Sequence, residues 1–251
     1  MMAPLPKELF LEACKKVVQD NMAYVPPYGS GGSLYLRPLL FGSGPRIGLQ
    51  PSEEYTFIII TIPVGGYYNA GLVPVNAVIV QDYDRAAPNG VGHVKVAGNY
   101  AADLLPSSEN KKLGYQVSLY LDAKTQSFIE EFSTSNFAAI NYETKTYVTP
   151  NSSSVLPSVT NKCLMTIMEK EFGYTVEQRE VKLDELDGFD EVLAIGTAVV
   201  VTPIGSITHG DKVYTFNHGD TVGEITTKLY DRVREIQNGD GEDYYSWNFK
   251  V

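Results

Sequence analysis

Apolar residues recur at helical spacing from Pro6 to Asp20. Leu9, Phe10, Ala13, Cys14, Val17 and Val18 form one stripe, so residues 6–20 are expected to be an amphipathic helix opened by Pro6. The run YVPPYGSGG at 24–32 is rich in turn formers and reads as a loop. Residues 34–41 then alternate as a strand does, with Tyr35 and Arg37 on one face and Leu34 and Leu36 on the other. A buried β run at 57–62 and a strand at 76–81 follow. The segment DYDRAAPNGVG at 82–92 is a linker, and it sets the domain boundary. Beyond it, strands are expected at 115–121 and 127–132, from Phe137, near Thr146, and at 175–181. Residues 191–201 read as strand, Gly-Thr turn and strand. A helix over 158–172 buries Cys163, Leu164, Ile167, Met168 and Phe172 and stops at Gly173. In the final helix, 220–237, Thr221 and Glu224 supply a capping box, and Val222, Ile225, Leu229, Val233 and Ile236 the stripe. The chain thus divides into residues 1–81, a linker at 82–92 and residues 93–251, with mixed α and β elements.

Composition narrows the partners. The 251 residues carry a net charge of -10, which argues against a nucleic-acid or anionic-membrane surface. The longest apolar stretch, 55–64, is too short to span a bilayer. MMAPLPKELF lacks the basic start and apolar run of a signal peptide. Cys14 and Cys163 lie far apart in apolar helical patterns with no Cys-x-x-Cys, as expected of reduced core thiols in a cytoplasmic protein. His93, His209 and His218 show no helical metal spacing, so no metal site is expected. There is no nucleophile elbow, Walker loop or dinucleotide fingerprint.

Chemistry is concentrated around Lys95, in HVKVAGNYA at 93–101. Valines flank this lysine. An amine in apolar surroundings loses its proton more readily and can attack a carbonyl to form a Schiff base. Leu156-Pro157-Ser158-Val159-Thr160 leads into a helix, so the amides of Val159 and Thr160 and a hydroxyl could meet a phosphate; taken alone, the segment reads first as a helix cap at Ser158 or Thr160. Gly196-Thr197-Ala198 offers amides and a hydroxyl in a tight turn, or is a turn alone. Glu130 and Glu131 are adjacent in a strand, so only one is expected to point inward. A buried carboxylate there suits a protonated ring nitrogen. Tyr35 and Tyr100 are two of 17 tyrosines, and Arg37 has the fork that binds carboxylates.

In order along the chain, YVPPYGSGGSLYLRPLLFGSGP, DYDRAAPNGVGHVKVAGNYAADLLP, FIEEFSTSNF, TPNSSSVLPSVT and IGTAVVVTPIGSI resemble segments of the branched-chain aminotransferases, in the class IV (fold type IV) group. That resemblance implies a two-domain α and β fold. The small α+β domain is incomplete here, and the larger α/β domain has a mixed, partly barrel-like sheet. It implies pyridoxal 5'-phosphate as cofactor, with Lys95 as the Schiff-base lysine and proton carrier. Glu131 would pair with the ring nitrogen, Tyr100 with the phenolic oxygen, and Val159, Thr160 and Thr197 with the phosphate. Tyr35, Arg37, Thr197 and Ala198 would meet substrate carboxylates. The implied reaction moves the amino group of leucine, isoleucine or valine to 2-oxoglutarate, giving glutamate, in a homodimer.

Three departures from the family's pattern stand out. Met1-Met2-Ala3-Pro4 is similar to an internal stretch of the family, so the resemblance implies a shortened chain lacking an arginine that helps hold the phosphate. Phe132-Ser133 stands where the family has a small apolar residue and a glycine, and serine tolerates positive φ poorly. Ala97 replaces the first of two glycines. Other readings are a catalytically impaired shortened chain, or a relative acting on D-amino acids or aminodeoxychorismate.

Overall fold

The computed structural model describes residues 2–65 and 71–251. The chain forms two compact units, Met1–Asn69 with Asp243–Val251, and Ala70–Glu242. No helix among the described residues is long and apolar enough to cross a membrane.

The first unit holds helix α1 (Lys7–Asp20) and strands β1 (Ser33–Ser43) and β2 (Glu54–Val64). The strands pair antiparallel in unbroken register from Ser33↔Val64 to Ser43↔Glu54. Both are longer than their apolar cores suggested, because a two-stranded ladder propagates through polar ends. Phe10 of α1 meets Phe57 of β2 with ring centroids 6.2 Å apart, which ties helix to sheet. One helix on two strands cannot enclose a core: α1 has no buried residue, and Ile58, Ile60, Ile62 and Val64 remain exposed along one strand face. Cys14 and Cys163, expected in cores, are each only half-buried, and neither forms a disulfide.

The second unit is built on strands β3 (Val75–Ile79), β4 (Val117–Leu121), β5 (Phe128–Phe132), β6 (Asn136–Asn141), β7 (Thr146–Pro150), β8 (Thr175–Arg179), β9 (Val181–Lys182), β10 (Glu191–Gly196), β11 (Val200–His209) and β12 (Lys212–Thr215). β6, β10, β11, β3, β4 and β5 follow one another in hydrogen-bonded order, and a β5–β6 pairing returns the sheet to its start. The result is a closed six-stranded ring with further strands attached. β3 pairs parallel with both β11 and β4. The sequence reading placed this strand in the first domain; its hydrogen bonds place it in the larger sheet. Residues 175–181, read as one strand, are split between β8 and β9.

Three helices complete this unit: α2 (Gly98–Lys112), α3 (Val159–Lys170) and α4 (Glu224–Asn238). α3 buries Leu164, Ile167 and Met168, and α4 buries Ile225, Leu229, Val233 and Ile236, as their stripes require. Gly173, with φ +71°, follows α3 in the left-handed conformation that ends a helix. α2 was not expected. It carries Pro106 in its interior and leaves Leu104 and Leu105 exposed, while its buried residues are Asp103 and Pro106. A polar contact holds it instead of an apolar stripe: Tyr120 Oη of β4 donates to Asp103 at 2.7 Å. The capping box of α4 does not form either. Gly223 is the N-cap, and the buried Glu191 carboxylate of β10 accepts from the amides of Ile225 (2.9 Å) and Thr226 (2.8 Å). A carboxylate from another strand supersedes the local Thr221–Glu224 pair because it also meets the positive end of the helix.

Candidate active site

A small cleft opens in this unit, lined by Lys95, Tyr100, Glu131, Arg85, Asn136 and Leu156 among others. Its lining of an amine, a phenol, a carboxylate, a guanidinium and an amide suits a small molecule with several polar groups. Local hydrogen bonds shape the approach to Lys95: Asn99 Nδ2 donates to the carbonyls of Val91 and Val94, each at 2.8 Å. Ala97 and Gly98 start α2 and place Tyr100 in its first turn.

Lys95 Nζ donates to Tyr100 Oη at 2.9 Å. The lysine is exposed in this unit, and Val94 is 42% exposed, so the flanking valines do not wrap the amine in apolar surroundings as expected. The amine instead meets the Tyr100 phenol, and its charge acts on the Glu131 carboxylate.

Glu131 is the electrostatic centre of the cleft. Its Oε1 accepts from Arg85 Nη2 at 2.8 Å and from the Leu156 amide at 3.3 Å, and its Oε2 from Asn136 Nδ2 at 2.9 Å. Burial pushes its carboxyl up to about 7, opposed by Arg85 and the Leu156 amide, while neighbouring Glu130 adds to the rise. Glu130 is buried too, contrary to the expectation that one of the pair faces outward. Closing the ring covers both faces of β5, and Glu130 finds its donor in Ser152 Oγ at 2.8 Å. Burial also raises the Glu130 carboxyl, against the hydrogen bond from Ser152. Ser133 has no positive φ; its amide donates to the Ser118 carbonyl at 2.9 Å, so serine fits there without strain.

The remaining site residues lie beside the cleft or in the other unit. Ser158 caps α3, accepting from the Asn161 amide at 3.1 Å, which leaves the Val159 and Thr160 amides at the helix start. Leu156, two residues earlier, lines the cleft; Val159 and Thr160 do not. Thr197 and Ala198 occupy the exposed turn between β10 and β11, next to Gly196, where an added Cβ would lie 3.9 Å from Ser135 Cβ of the cleft lining. Tyr35 and Arg37 stand on β1 of the first unit. There Arg37 Nη2 donates to Tyr35 Oη at 3.1 Å, with the guanidinium carbon 5.2 Å from the ring centroid. The sequence reading missed Arg85 and Asn136. Arg85 sits in a Pro- and Gly-bearing loop between two aspartates and Pro88, a context that reads as solvated surface.

The cleft sets an amine beside a phenol and a buried carboxylate with charged and neutral donors, and the start of α3 and the Thr197 turn offer amides and a hydroxyl outside its lining. These groups fit a cofactor with an aldehyde, a ring nitrogen and a phosphate. A family model for amino-transferase class IV matches residues 1–207. The chain is 44% identical to the branched-chain-amino-acid aminotransferase of Haemophilus influenzae, covering 100% of this chain and 74% of that one. Among solved structures, the branched-chain amino acid aminotransferase of Escherichia coli superposes with TM-score 0.81 at 28% identity, covering 98% of this chain and 77% of that one. The T.th. branched-chain amino acid aminotransferase with pyridoxamine 5'-phosphate gives TM-score 0.82 at 25% identity, covering 98% and 76%. With these likenesses running along nearly its whole length, the chain belongs to the class IV aminotransferases, pyridoxal phosphate-dependent transaminases of the fold type IV class.

Proposed function

We propose that the protein is a branched-chain amino acid aminotransferase, moving the amino group of leucine, isoleucine or valine to 2-oxoglutarate and working as a cytoplasmic homodimer. The observation that carries this reading is Lys95 Nζ within 2.9 Å of Tyr100 Oη in a cleft shared with buried Glu131, on a chain so similar to the Haemophilus influenzae enzyme. When bound, pyridoxal 5'-phosphate supplies an electron sink for the electrons released at the substrate's α-carbon. Lys95 Nζ would anchor the cofactor and would afterwards carry the proton to and from that carbon. Tyr100 Oη orients the amine and the cofactor's phenolic oxygen. Glu131 would pair with the ring nitrogen, and the Val159 and Thr160 amides with the Thr197 hydroxyl would hold the phosphate. Tyr35, Arg37 and the Thr197-Ala198 turn receive substrate carboxylates, Arg37 through its planar fork. The cysteines, which form no disulfide, support the cytoplasmic assignment.

Two experiments test the reading. Borohydride reduction after adding pyridoxal phosphate, followed by peptide mapping, should give a pyridoxyl adduct confined to Lys95. A panel of leucine, isoleucine, valine, D-alanine and aminodeoxychorismate should show transfer to 2-oxoglutarate only from the first three. Activity confined to D-alanine, or adducts scattered over other lysines, overturns the proposal.

A further inference from the structure

We propose that Arg85 is a positioning residue for this reaction, holding Glu131 ionised and leaving one carboxylate oxygen open to the cofactor's ring nitrogen. The proposal rests on the assignment of Glu131 to that nitrogen.

Arg85 lies in the loop after β3 yet is only 8% exposed, although loop arginines ordinarily keep the guanidinium in water. Its Nη2 contacts Glu131 Oε1 at 2.8 Å and also donates to the Ser154 carbonyl. Its Nε is buried with no hydrogen-bond partner. A buried pair with an unmet donor gives little net stability over apolar replacements, so the consequence to look for is its effect on the Glu131 charge.

The lone pairs of Glu131 show what that effect is. Oε1 accepts from both Arg85 and the Leu156 amide, which fills its two acceptor positions. Oε2 accepts only from Asn136 Nδ2 among the described contacts, leaving one position on the carboxylate. Glu131, Arg85, Asn136 and Lys95 line one cleft. A single proton is shared between that open oxygen and a ring nitrogen set against it. The adjacent guanidinium opposes the effect of burial by favouring the carboxylate, which shifts the proton toward the nitrogen. Without the guanidinium, burial favours the neutral carboxyl and the proton returns to oxygen. Glu130 and Lys95 are the other charged groups acting on Glu131.

The chain between Arg85 and Lys95 closes over this contact. A Cβ at Gly92 would lie 2.9 Å from Arg85 Nη2, 2.7 Å from Ala86 Cβ and 2.2 Å from the Ser154 carbonyl oxygen. The segment that presents Lys95 is thus packed on the guanidinium that fixes Glu131.

The test compares dissociation constants of the 251-residue chain for pyridoxal 5'-phosphate and for its 1-deaza analogue, which has carbon in place of the ring nitrogen. Wild type should favour the true cofactor by about tenfold, the scale of one charge-assisted hydrogen bond. Glu131→Gln should collapse that ratio toward one. Arg85→Met should collapse it too, while Arg85→Lys should retain most of it. A purely structural loss weakens both ligands equally and leaves the ratio intact. Should Arg85→Met fail to fold, Arg85→Gln, which keeps a donor and removes the charge, decides by the same ratio. A wild-type ratio near one, or one unchanged in Glu131→Gln, overturns the Glu131 assignment and this proposal with it. A ratio lost in Glu131→Gln but kept in Arg85→Met or Arg85→Gln overturns the role of Arg85 alone.

Discussion

Glu131 and Asn136 are joined twice, by their side chains and by their backbones. Asn136 Nδ2 donates to Glu131 Oε2 at 2.9 Å, and the same two residues are the ladder pair that joins β5 to β6 and closes the ring. The closure of the sheet and the placement of the cleft's central carboxylate are therefore one structural event. Asn136 Nδ2 also donates to the Leu156 carbonyl at 2.8 Å, extending this link to the segment leading into α3.

Replacing Asn136 with alanine should leave Glu131 Oε2 and the Leu156 carbonyl without that donor. The expected cost is about 1–3 kcal/mol, the penalty for a buried acceptor left unmet. Urea denaturation should show a lower midpoint at unchanged slope. An effect below a few tenths of a kcal/mol would show that the ring closes on its backbone pairing alone.

Glu131 gives a signed pH dependence in protein measured without added cofactor. The folded carboxyl, pushed up to about 7 by burial, keeps its proton where the unfolded one, at its ordinary 4.5, has lost it. Between these values the folded chain binds more protons, so the contribution is full below pH 4.5 and declines as pH rises through about 7. The difference in unfolding free energy between wild type and Glu131→Gln should fall on the order of 3 kcal/mol across that window. A flat or rising difference would mean that Arg85 outweighs burial.

What the sequence revealed depended on the range of the interactions. Helices with apolar stripes, α1, α3 and α4, were legible from Leu9, Leu164 or Leu229 and their neighbours three and four residues away. α2 was not, because its inward contact is Asp103 with Tyr120, a polar bond across elements that leaves no periodic trace. Lys95, Tyr100 and Glu131 could be proposed because the runs that hold them resemble those of the branched-chain aminotransferases. Arg85 could not, since its burial comes from Glu131 and Ser154, respectively 46 and 69 residues away in sequence. β3 looked like the end of the first domain because both of its neighbours, β4 and β11, come later in the chain.

Tyr100→Phe tests the contact to Lys95. The phenol is half-buried and its hydroxyl accepts from Lys95 Nζ, an exposed amine, so removing the hydroxyl should alter stability by no more than about 0.5 kcal/mol. Transaminase turnover should fall about tenfold, as loss of a hydrogen bond to a charged group implies. Steady-state kinetics beside a thermal melt separates the two effects, and a matched loss of both would make Tyr100 a packing residue.

The start of α4 offers a test of how a distant carboxylate replaces a local cap. Glu191 accepts from two α4 amides, from Thr226 Oγ1 and from Tyr142 Oη, and is itself 1% exposed. Gly223 makes this possible through space rather than conformation: its φ is -65°, open to any residue, but an added Cβ would lie 2.0 Å from Glu191 Cδ. Gly223→Ala should therefore destabilise the fold by about 1–3 kcal/mol through displacement of the carboxylate. Removing the carboxylate relieves that clash and leaves the amides unmet, so Glu191→Ala alone should cost about 3 kcal/mol or more. In the double variant the alanine at 223 should add almost nothing, because the group it displaced is gone. Denaturant titration of all four proteins measures that coupling, and additive losses would show that Gly223 is needed for some reason other than room for Glu191.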